Sequence, residues 1–459
     1  AFQVTAVFSQ DRGFTESERK QLNVKCDKAG LLTSTKTVTD ASPRFITLPP
    51  DSVRKWMGDV DVAKTTPSID FALVRGMKPE YFPEDNIGYW ADFGDLTLAP
   101  DGNYYFGVGD HRGRDGNSYS YVYDPKKREC RQIIDFGALC GWKARGVGDG
   151  KMHGEIGAMA DGSLWMLTYW DPMPGWTKEE YDRWPGSNLV RYDTKTGKAE
   201  NLGIPLAKAG WPYFTLDTAR GIFFAVSSNG ETLAYDVKKR AVKYAGMPPN
   251  GVTWWTRAVM LDPATGIFWG CTQDKPYNFV SYDPKTGAFV KHPETMPPDL
   301  GRYKGNSNSH LRGYAERRTR EGFIWIDSEN GTLYKFWPDT RKTETVGMLW
   351  ADYTYVPRIT LSGDDRFLYY VGNTKRTAYP TKPVVQFDTR SGRRKVIAFL
   401  DQFYYDKYGY DMGSVHGSML SADGSTFVIV FNGSFLPRDK EWQDTPAILA
   451  VHIPESERR

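Results

Sequence analysis

Residues that move protons or bind anions recur along this chain at the same point of a repeated pattern. Each stands at the start of a short apolar segment that leads into a turn rich in Asp and Gly. In chain order these residues are His153, Tyr213, Arg257, His310, Arg312, Arg358 and His416. Histidine and tyrosine transfer protons, and arginine binds carboxylate or sulfate groups through paired hydrogen bonds. If the fold brings these positions together, they predict a site that holds an anion and moves a proton beside it.

The pattern that carries these residues has two signatures. The first is an apolar run, an Asp/Gly turn and a second apolar run, as in IGAMADGSLWML at 156–167. The second follows about 15–30 residues later and joins an aromatic residue, an Asp and a Lys/Gly turn, as in VSYDPKTGAFVKH at 280–292. A degenerate unit occupies 323–346. Each unit predicts four antiparallel strands arranged as two hairpins.

These units recur about every 45–60 residues, a spacing typical of β-propeller blades. We count seven units, at 89–136, 153–204, 211–247, 254–294, 308–348, 355–400 and 413–453. The seventh has only three obvious strands, and a strand from the N-terminal region would complete it and remove a free edge. The sequence therefore predicts an all-β fold, a seven-bladed β-propeller at 85–459, with residues 1–84 as an N-terminal extension that supplies the closing strand. A two-sheet β-sandwich would explain neither the count nor the repetition.

Composition narrows the possible functions. A net charge of +3 with both signs interspersed is too weak to predict nucleic-acid binding, although it suits an anionic polysaccharide or oligosaccharide. The sequence has no apolar run long enough to span a membrane. Four cysteines without CxxC spacing do not predict a zinc site; Cys130 and Cys140 could pair, or the thiols could be free. We expect a monomer, secreted or periplasmic, with no signal peptide visible in this chain.

In a propeller the first strand of each blade lines the central channel. The loops that lead into these strands, and those between second and third strands, share one face, here called the loop face; the tight turns lie on the opposite turn face. Several loops on the loop face are long, polar and aromatic, which is typical of a binding site. On this face His310, Arg312, Arg358 and His416 are predicted to bind substrate, and so are three further residues, His111, Trp90 and Trp255. The leading interpretation requires no cofactor, but His153, His310 and His416 could meet near the axis and bind a divalent metal ion.

Such a set of residues suits β-elimination on a uronic acid. A cation would neutralise the uronate carboxylate, a His or Tyr would take the C5 proton, and another would protonate the leaving oxygen. Positioned charges would then stabilise the enolate-like intermediate.

The blade pattern across 89–453 and the His/Tyr/Arg set resemble the propeller-type polysaccharide lyases. These comprise the ulvan lyases, the rhamnose–glucuronate lyases and, more distantly, the oligogalacturonate lyases. The resemblance implies that His153 is the catalytic histidine, that Tyr213 in WPYFTLD is the catalytic tyrosine, and that Arg257 in WWTRAVMLD neutralises the carboxylate. It predicts a lyase that acts on a uronate-containing polysaccharide or oligosaccharide.

Two other functions remain open at this point. A propeller glycoside hydrolase would need two carboxylates beside the cleaved bond, or a lone histidine as in a rhamnosidase-like enzyme. The carboxylates available on the loop face are Asp92, Asp110, Asp115, Glu155, Asp171 and Asp411, and the sequence marks no pair among them. A propeller that only binds carbohydrate or protein is the third possibility.

Overall fold

The computed structural model describes residues 35–54, 57–74, 90–110, 116–142, 147–169, 177–301, 309–350, 355–372, 381–435 and 445–459. Within these ranges the chain forms seven sheets, each built around antiparallel strands in chain order. The seven-bladed propeller predicted from the repeat is therefore confirmed. The degenerate unit at 323–346 is a regular part of the fifth blade.

The first two blades and the N-terminal strands have the following bounds. The N-terminal strands are β1 (Val38–Ala41), β2 (Asp61–Val62) and β3 (Ser68–Leu73). Blade 1 contains β4 (Trp90–Ala91), β5 (Thr97–Leu98), β6 (Tyr104–Asp110), β7 (Asn117–Asp124) and β8 (Glu129–Asp135). Blade 2 contains β9 (Gly157–Ala158), β10 (Ser163–Leu167), β11 (Leu189–Asp193) and β12 (Lys198–Asn201).

Blades 3 to 5 have four strands each. Blade 3 contains β13 (Tyr213–Asp217), β14 (Ile222–Val226), β15 (Thr232–Asp236) and β16 (Ala241–Gly246). Blade 4 contains β17 (Met260–Asp262), β18 (Ile267–Cys271), β19 (Asn278–Asp283) and β20 (Ala288–Thr295). Blade 5 contains β21 (Leu311–Tyr314), β22 (Ile324–Ser328), β23 (Thr332–Trp337) and β24 (Lys342–Met348).

The last two blades complete the ring. Blade 6 contains β25 (Thr360–Leu361), β26 (Phe367–Val371), β27 (Pro383–Asp388) and β28 (Arg394–Phe399). Blade 7 contains β29 (Asp411–Leu420), β30 (Thr426–Ser434) and β31 (Thr445–His452). In the described ranges the helical segments are short, at Pro43–Ile46, Asp51–Arg54, Phe136–Cys140, Lys178–Arg183, Asp401–Tyr408 and Glu455–Glu457. None of the described helices is long and apolar enough to cross a membrane.

The N-terminal segment closes the ring, as the sequence predicts. Strand β3 pairs antiparallel with β31 from Ser68↔His452 to Leu73↔Ala447, which makes it the fourth strand of blade 7. Strand β1 adds a fifth by pairing with β3, and β2 lies parallel to β28 at the outer edge of blade 6. The predicted boundary between residues 84 and 85 lies outside the described residues, so the division into two segments stays a prediction.

Neighbouring blades pack through apolar faces, which explains why middle strands are apolar runs rather than alternating ones. Every residue of β10, β14, β15, β22 and β26 is buried. Phe224 of blade 3, for example, stacks on Phe268 and Tyr282 of blade 4, with ring centroids 4.9 and 5.0 Å apart. Cys130 and Cys140 are not bonded to each other, and burial raises the pKa of the Cys130 thiol far above its usual value.

Asp70 of β3 joins the two ends of the ring. Its carboxylate accepts hydrogen bonds from Thr39 Oγ1 (2.6 Å), from Arg128 Nε and Nη2 (3.1 and 2.6 Å), and contacts His452 Nε2 at 3.0 Å. Burial alone would raise the pKa of Asp70, but the hydrogen bonds from His452 and Thr39 and the charge of Arg128 outweigh it and lower the pKa.

Asp70→Asn is therefore expected to lower the free energy of unfolding by about 1–3 kcal/mol at neutral pH. A carboxyl whose pKa is lowered by folding stabilises the protein above its unfolded pKa, and this contribution is lost as the pH falls through the folded value. The difference in the free energy of unfolding between the unsubstituted protein and Asp70→Asn should therefore shrink in acid. Urea unfolding at several pH values measures this difference. Asp61→Asn is the control, because the Asp61 side chain forms an exposed ion pair with Arg393. Equal effects of the two substitutions would contradict this role of Asp70.

Candidate active site

The first strands of the blades meet at the axis, and the residues that precede or begin them face one another there. Contacts join β13 to β9 and to β17, β5 to β9, and β25 to β29. The segment that leads into β9 carries Lys151, His153 and Glu155, and β21 carries Arg312 and Tyr314. Two clusters result, one rich in basic residues and one rich in carboxylates.

Blade 1 contributes to both clusters through an interruption of its first strand at 92–96, between β4 and β5. Asp92 fixes this segment, because its main-chain N–H donates to Asn432 Oδ1 of blade 7 (2.7 Å) and its carboxylate accepts from Gly94 N (2.9 Å). A side chain at Gly94 would meet the main chain of His153 at 3.3 Å, so the segment lies directly against blade 2. The segment thereby directs Phe93 toward the basic cluster and Asp95 toward the acidic one.

His153 is a neutral base with a defined tautomer. Its Nδ1 lies 2.7 Å from the carbonyl oxygen of Pro212, which can only accept, so Nδ1 carries the proton and Nε2 keeps its lone pair. Burial, followed by the charges of Lys151 and Arg257, holds the pKa of His153 well below its usual value. The imidazole is consequently unprotonated at neutral pH.

His416 of β29 lies across from His153, with ring centroids 6.4 Å apart, and Phe93 contacts both rings. Burial, followed by the charges of Arg312 and Arg257, also holds its pKa well below the usual value. His416 is 7 % exposed, and its Nδ1 has no hydrogen-bond partner among the described residues. A bound ligand or a water molecule could satisfy a buried nitrogen of this kind.

Lys151, Arg257 and Arg312 supply the positive charge of this basic cluster. The Lys151 amine lies 4.2 Å from the centre of the Phe93 ring. Burial and the nearby Arg257 charge lower the pKa of Lys151 to about 7. Arg312 is buried; its Nε donates to the Tyr355 hydroxyl oxygen at 2.6 Å, and its Nη1 donates to the Arg257 carbonyl oxygen at 3.2 Å. The Tyr355 ring also contacts His416, with centroids 5.9 Å apart.

The acidic cluster is a buried network around Arg358. Arg358, whose side chain is 1 % exposed, lies 3.1 Å from Glu155 Oε1 through Nη2 and 3.7 Å from Asp95 Oδ2 through Nη1. Tyr213 donates its hydroxyl proton to Asp95 Oδ2 at 2.7 Å, and the hydroxyl oxygens of Tyr213 and Tyr314 are also 2.7 Å apart. Burial raises the pKa of Asp95, although the Arg358 charge opposes it.

The environment of Tyr213 differs from that of a tyrosine base. Burial and the carboxylate of Asp95 hold its pKa well above the usual value, so the phenol stays protonated and serves as a donor within the network. The catalytic role predicted for Tyr213 remains a prediction, and its hydroxyl is already engaged by Asp95 and Tyr314.

His310 and Trp255 form a separate pair beside the basic cluster. Their rings stack with centroids 3.8 Å apart, His310 Nε2 lies 2.8 Å from the Gln273 carbonyl oxygen, and Nδ1 lies 3.7 Å from Glu329. Across the part of the chain that the structure describes, no three His, Cys, Asp or Glu residues group as metal ligands. His153, His310 and His416 accordingly do not group as a metal site among the described residues, and His310 is instead stacked on Trp255.

Most of the predicted site residues are thus brought together. His153, His416, Arg257 and Arg312 share the basic cluster, and Tyr213 and Arg358 share the acidic one. His111 and the side chain of Trp90 lie outside what the structure describes. Sequence reasoning missed Phe93, Asp95, Lys151, Tyr314 and Tyr355 as site residues, and it named Glu155 only as a carboxylate of the loop face. Lys151 stands two residues before His153 and Tyr314 two residues after Arg312, so both lie close in the chain to residues that the sequence marked.

Comparisons with known proteins identify no family. No protein-family model matches the chain, and no curated protein matches it. Among solved structures the chain is similar to the crystal structure of the extracellular domain of a putative one-component system from B. thetaiotaomicron. The identity is 10 %, the TM-score is 0.48, and the match covers 82 % of this chain and 40 % of that one. The chain therefore spans less than half the length of that structure.

Proposed function

We propose that this protein is a carbohydrate-active enzyme, a polysaccharide lyase that cleaves a uronate-containing polysaccharide or oligosaccharide by β-elimination. One observation carries the proposal. Two imidazoles with lowered pKa values, His153 and His416, lie in a cluster with three basic side chains, Lys151, Arg257 and Arg312. Abstraction of a proton next to a carboxylate requires a base that is neutral at the working pH and a neighbouring group that binds the carboxylate.

In the proposed reaction the carboxylate of the uronate binds to Arg257 and Arg312. Their charge makes the C5 proton more acidic and stabilises the enolate that forms when the proton leaves. His153 takes this proton at Nε2, because its Nδ1 is engaged by Pro212. The C4–oxygen bond then breaks, the electron pair forms a double bond between C4 and C5, and a donor protonates the leaving oxygen.

Tyr355 is the donor that the hydrogen bonds favour. Its oxygen accepts a hydrogen bond from Arg312 Nε, so its own proton is available for the leaving oxygen. Tyr213 is the catalytic tyrosine that the family resemblance implies, but its proton is directed at Asp95. Tyr355→Phe and Tyr213→Phe separate the two assignments. Removal of the hydroxyl that protonates the leaving oxygen should lower kcat strongly, whereas removal of the hydroxyl that only positions its neighbours should lower kcat less.

A glycoside hydrolase is the second candidate, and one observation favours it. Asp95 and Glu155 form a carboxylate pair held by the same guanidinium, and Asp95 has the raised pKa that a general acid needs. A propeller that binds carbohydrate without cleaving it is the third. Because uronate polysaccharides are extracellular polymers, the proposal includes secretion or export to the periplasm, with the protein acting as a monomer.

Incubation with a panel of uronate-containing polysaccharides and oligosaccharides tests the proposal. A lyase produces an unsaturated sugar that absorbs in the ultraviolet, together with one new reducing end for each bond cleaved. New reducing ends without this absorbance would indicate hydrolysis, and a glycoside hydrolase would then replace the lyase as the proposed function. Binding of a polymer without any product would leave only the binding function.

A further inference from the structure

The first strand of blade 1 carries more residues than its partner strand can pair. Strand β4 stops pairing with β6 at Ala91↔Gly109, and β5 resumes the pairing at Thr97↔Tyr105. Five residues, 92–96, therefore lie opposite only three residues of β6. Extra residues of this kind cannot stay in the ladder, so the strand bends away from its sheet there.

The segment 92–96 lies between blades 2 and 7. A side chain at Gly94 would meet the main chain of His153 at 3.3 Å. On the other side, a side chain at Gly417, the residue after His416, would meet Leu96 N at 2.9 Å and Gly94 O at 3.1 Å. The segment thus touches the main chain beside each of the two imidazoles of the basic cluster, and its position sets their spacing.

Asn432 of blade 7 fixes the start of this segment. Its side chain is buried, and its Oδ1 accepts a hydrogen bond from Asp92 N at 2.7 Å. Its Nδ2 donates to the Asp92 carbonyl oxygen and to Ser414 Oγ, the latter at 3.4 Å. One side-chain amide therefore satisfies both main-chain polar groups of Asp92, as a neighbouring strand would do in a regular sheet.

The residue that follows this anchored position is Phe93. Its half-buried ring lies against His153 and His416, with centroids 6.1 and 5.1 Å apart, and it is parallel to the His153 ring within 10°. An apolar ring at this distance displaces water that would solvate an imidazolium ion, so it favours the neutral imidazole. The charged groups that act on both imidazoles in the same direction are Lys151, Arg257 and Arg312.

We propose that Asn432 is a positioning residue that, by anchoring the main chain of Asp92, holds Phe93 against His153 and His416 and keeps the two imidazoles at their spacing. Asn432 acts through the segment 92–96 and takes no part in proton transfer itself. The catalytic meaning of this inference rests on the proposed elimination, because that reaction needs a neutral imidazole at a fixed place.

Asn432→Ala removes both ends of the anchor and lets the Phe93 ring move away from the imidazoles. NMR titration of the histidine side chains should then show the pKa values of His153 and His416 rising toward the ordinary value of about 6.5. With a uronate substrate, kcat should fall roughly 10- to 100-fold, the cost of misplacing a reacting group. KM should stay within about threefold, since the arginines still hold the carboxylate.

Asn278→Ala is the matched control. Asn278 is also a buried asparagine, and its Nδ2 donates to the main-chain oxygens of His292 and Pro293 at 2.9 and 3.3 Å within blade 4. Its loss should lower stability but leave kcat and the titration of His153 and His416 unchanged. If Asn432→Ala matched Asn278→Ala in both kcat and histidine titration, the role of Asn432 would be structural only and the proposal would be overturned.

Phe93→Leu tests the same arrangement with the anchor intact, and it applies even if Asn432→Ala does not fold. The smaller apolar side chain should raise the pKa values of His153 and His416 in the same direction. Unchanged titration of both histidines would overturn the proposal. Shifted titration in a protein that cleaves no uronate would remove the proposed lyase function and keep the positioning role, and unchanged titration in a protein that cleaves uronate would do the reverse.

Discussion

His153→Gln is expected to lower the rate of eliminative cleavage by roughly 10²–10⁴-fold, the usual contribution of a general base. Glutamine keeps a polar group where His153 Nδ1 meets the Pro212 carbonyl oxygen, but it has no nitrogen that can take the C5 proton. The effect should fall on kcat, since Arg257 and Arg312 still hold the carboxylate. Initial rates of formation of the unsaturated product measure it.

The control for this substitution is His292→Gln. His292 lies on the outer strand β20, where it contacts Ser281 Oγ at 2.8 Å and stacks on Trp269, remote from the axis. Its replacement should leave kcat unchanged. Full activity of His153→Gln would contradict the assignment of the base, whatever the result for His292.

The pH dependence follows from the direction of the pKa shifts. The pKa values of His153 and His416 are lowered by burial and by nearby cations, so activity should persist below the ordinary histidine value of about 6.5 and decline only as the lowered pKa is reached. Because the folded pKa lies below the unfolded one, the neutral imidazoles stabilise the fold above the unfolded pKa. This contribution is lost as the pH falls. An acid limb of kcat/KM at the ordinary value would contradict the shift.

Arg358→Met should lower the free energy of unfolding by about 3–5 kcal/mol, the range for removing one partner of a buried ion pair. Arg358 lies between Asp95 and Glu155, and its loss leaves both carboxylates without their cation. Folding would then raise the pKa of Asp95 further, so the folded variant would bind more protons than the unfolded chain. The variant should consequently lose less stability at acid pH, where the carboxyls are protonated in both states.

Denaturation in guanidinium chloride at neutral and acid pH measures this effect. Arg393→Met is the matched control, because Arg393 pairs with Asp61 on an exposed edge, where an ion pair contributes about 0–1 kcal/mol. Combining Arg358→Met with Asp95→Asn and Glu155→Gln should recover part of the loss, since the two carboxylates that Arg358 paired are then removed with it. Equal stability of the Arg358 and Arg393 variants would contradict the bridging role of Arg358.

The blades could be predicted because their signals are local. Turn residues such as Asp161 and Gly162 and the apolar runs beside them lie next to each other in the chain, and seven repetitions reinforce one interpretation. The closing strand was predictable for a different reason, because blade 7 lacked a partner for β31 and a free edge is unfavourable.

The site was predictable only in part, since the residues that contact one another in it come from different blades. The hydrogen bond between Tyr213 and Tyr314 joins residues 101 positions apart, and that between Tyr213 and Asp95 joins residues 118 apart. Which side chains meet across the axis depends on the length and packing of each first strand, and the interruption at 92–96 that positions Asp95 has no repeat to reveal it. Tyr355 lies outside any strand and was therefore missed, although it is only three residues before Arg358.

The central claim is elimination without water, and cleavage in water labelled with heavy oxygen tests it most directly. The uronate polymer that the panel identifies is cleaved in this water, and the products are analysed by mass spectrometry. β-Elimination predicts products without heavy oxygen from the cleavage step, one of them carrying a double bond between C4 and C5. One heavy oxygen in each new pair of ends, with no double bond, would contradict the lyase and favour hydrolysis by Asp95 and Glu155.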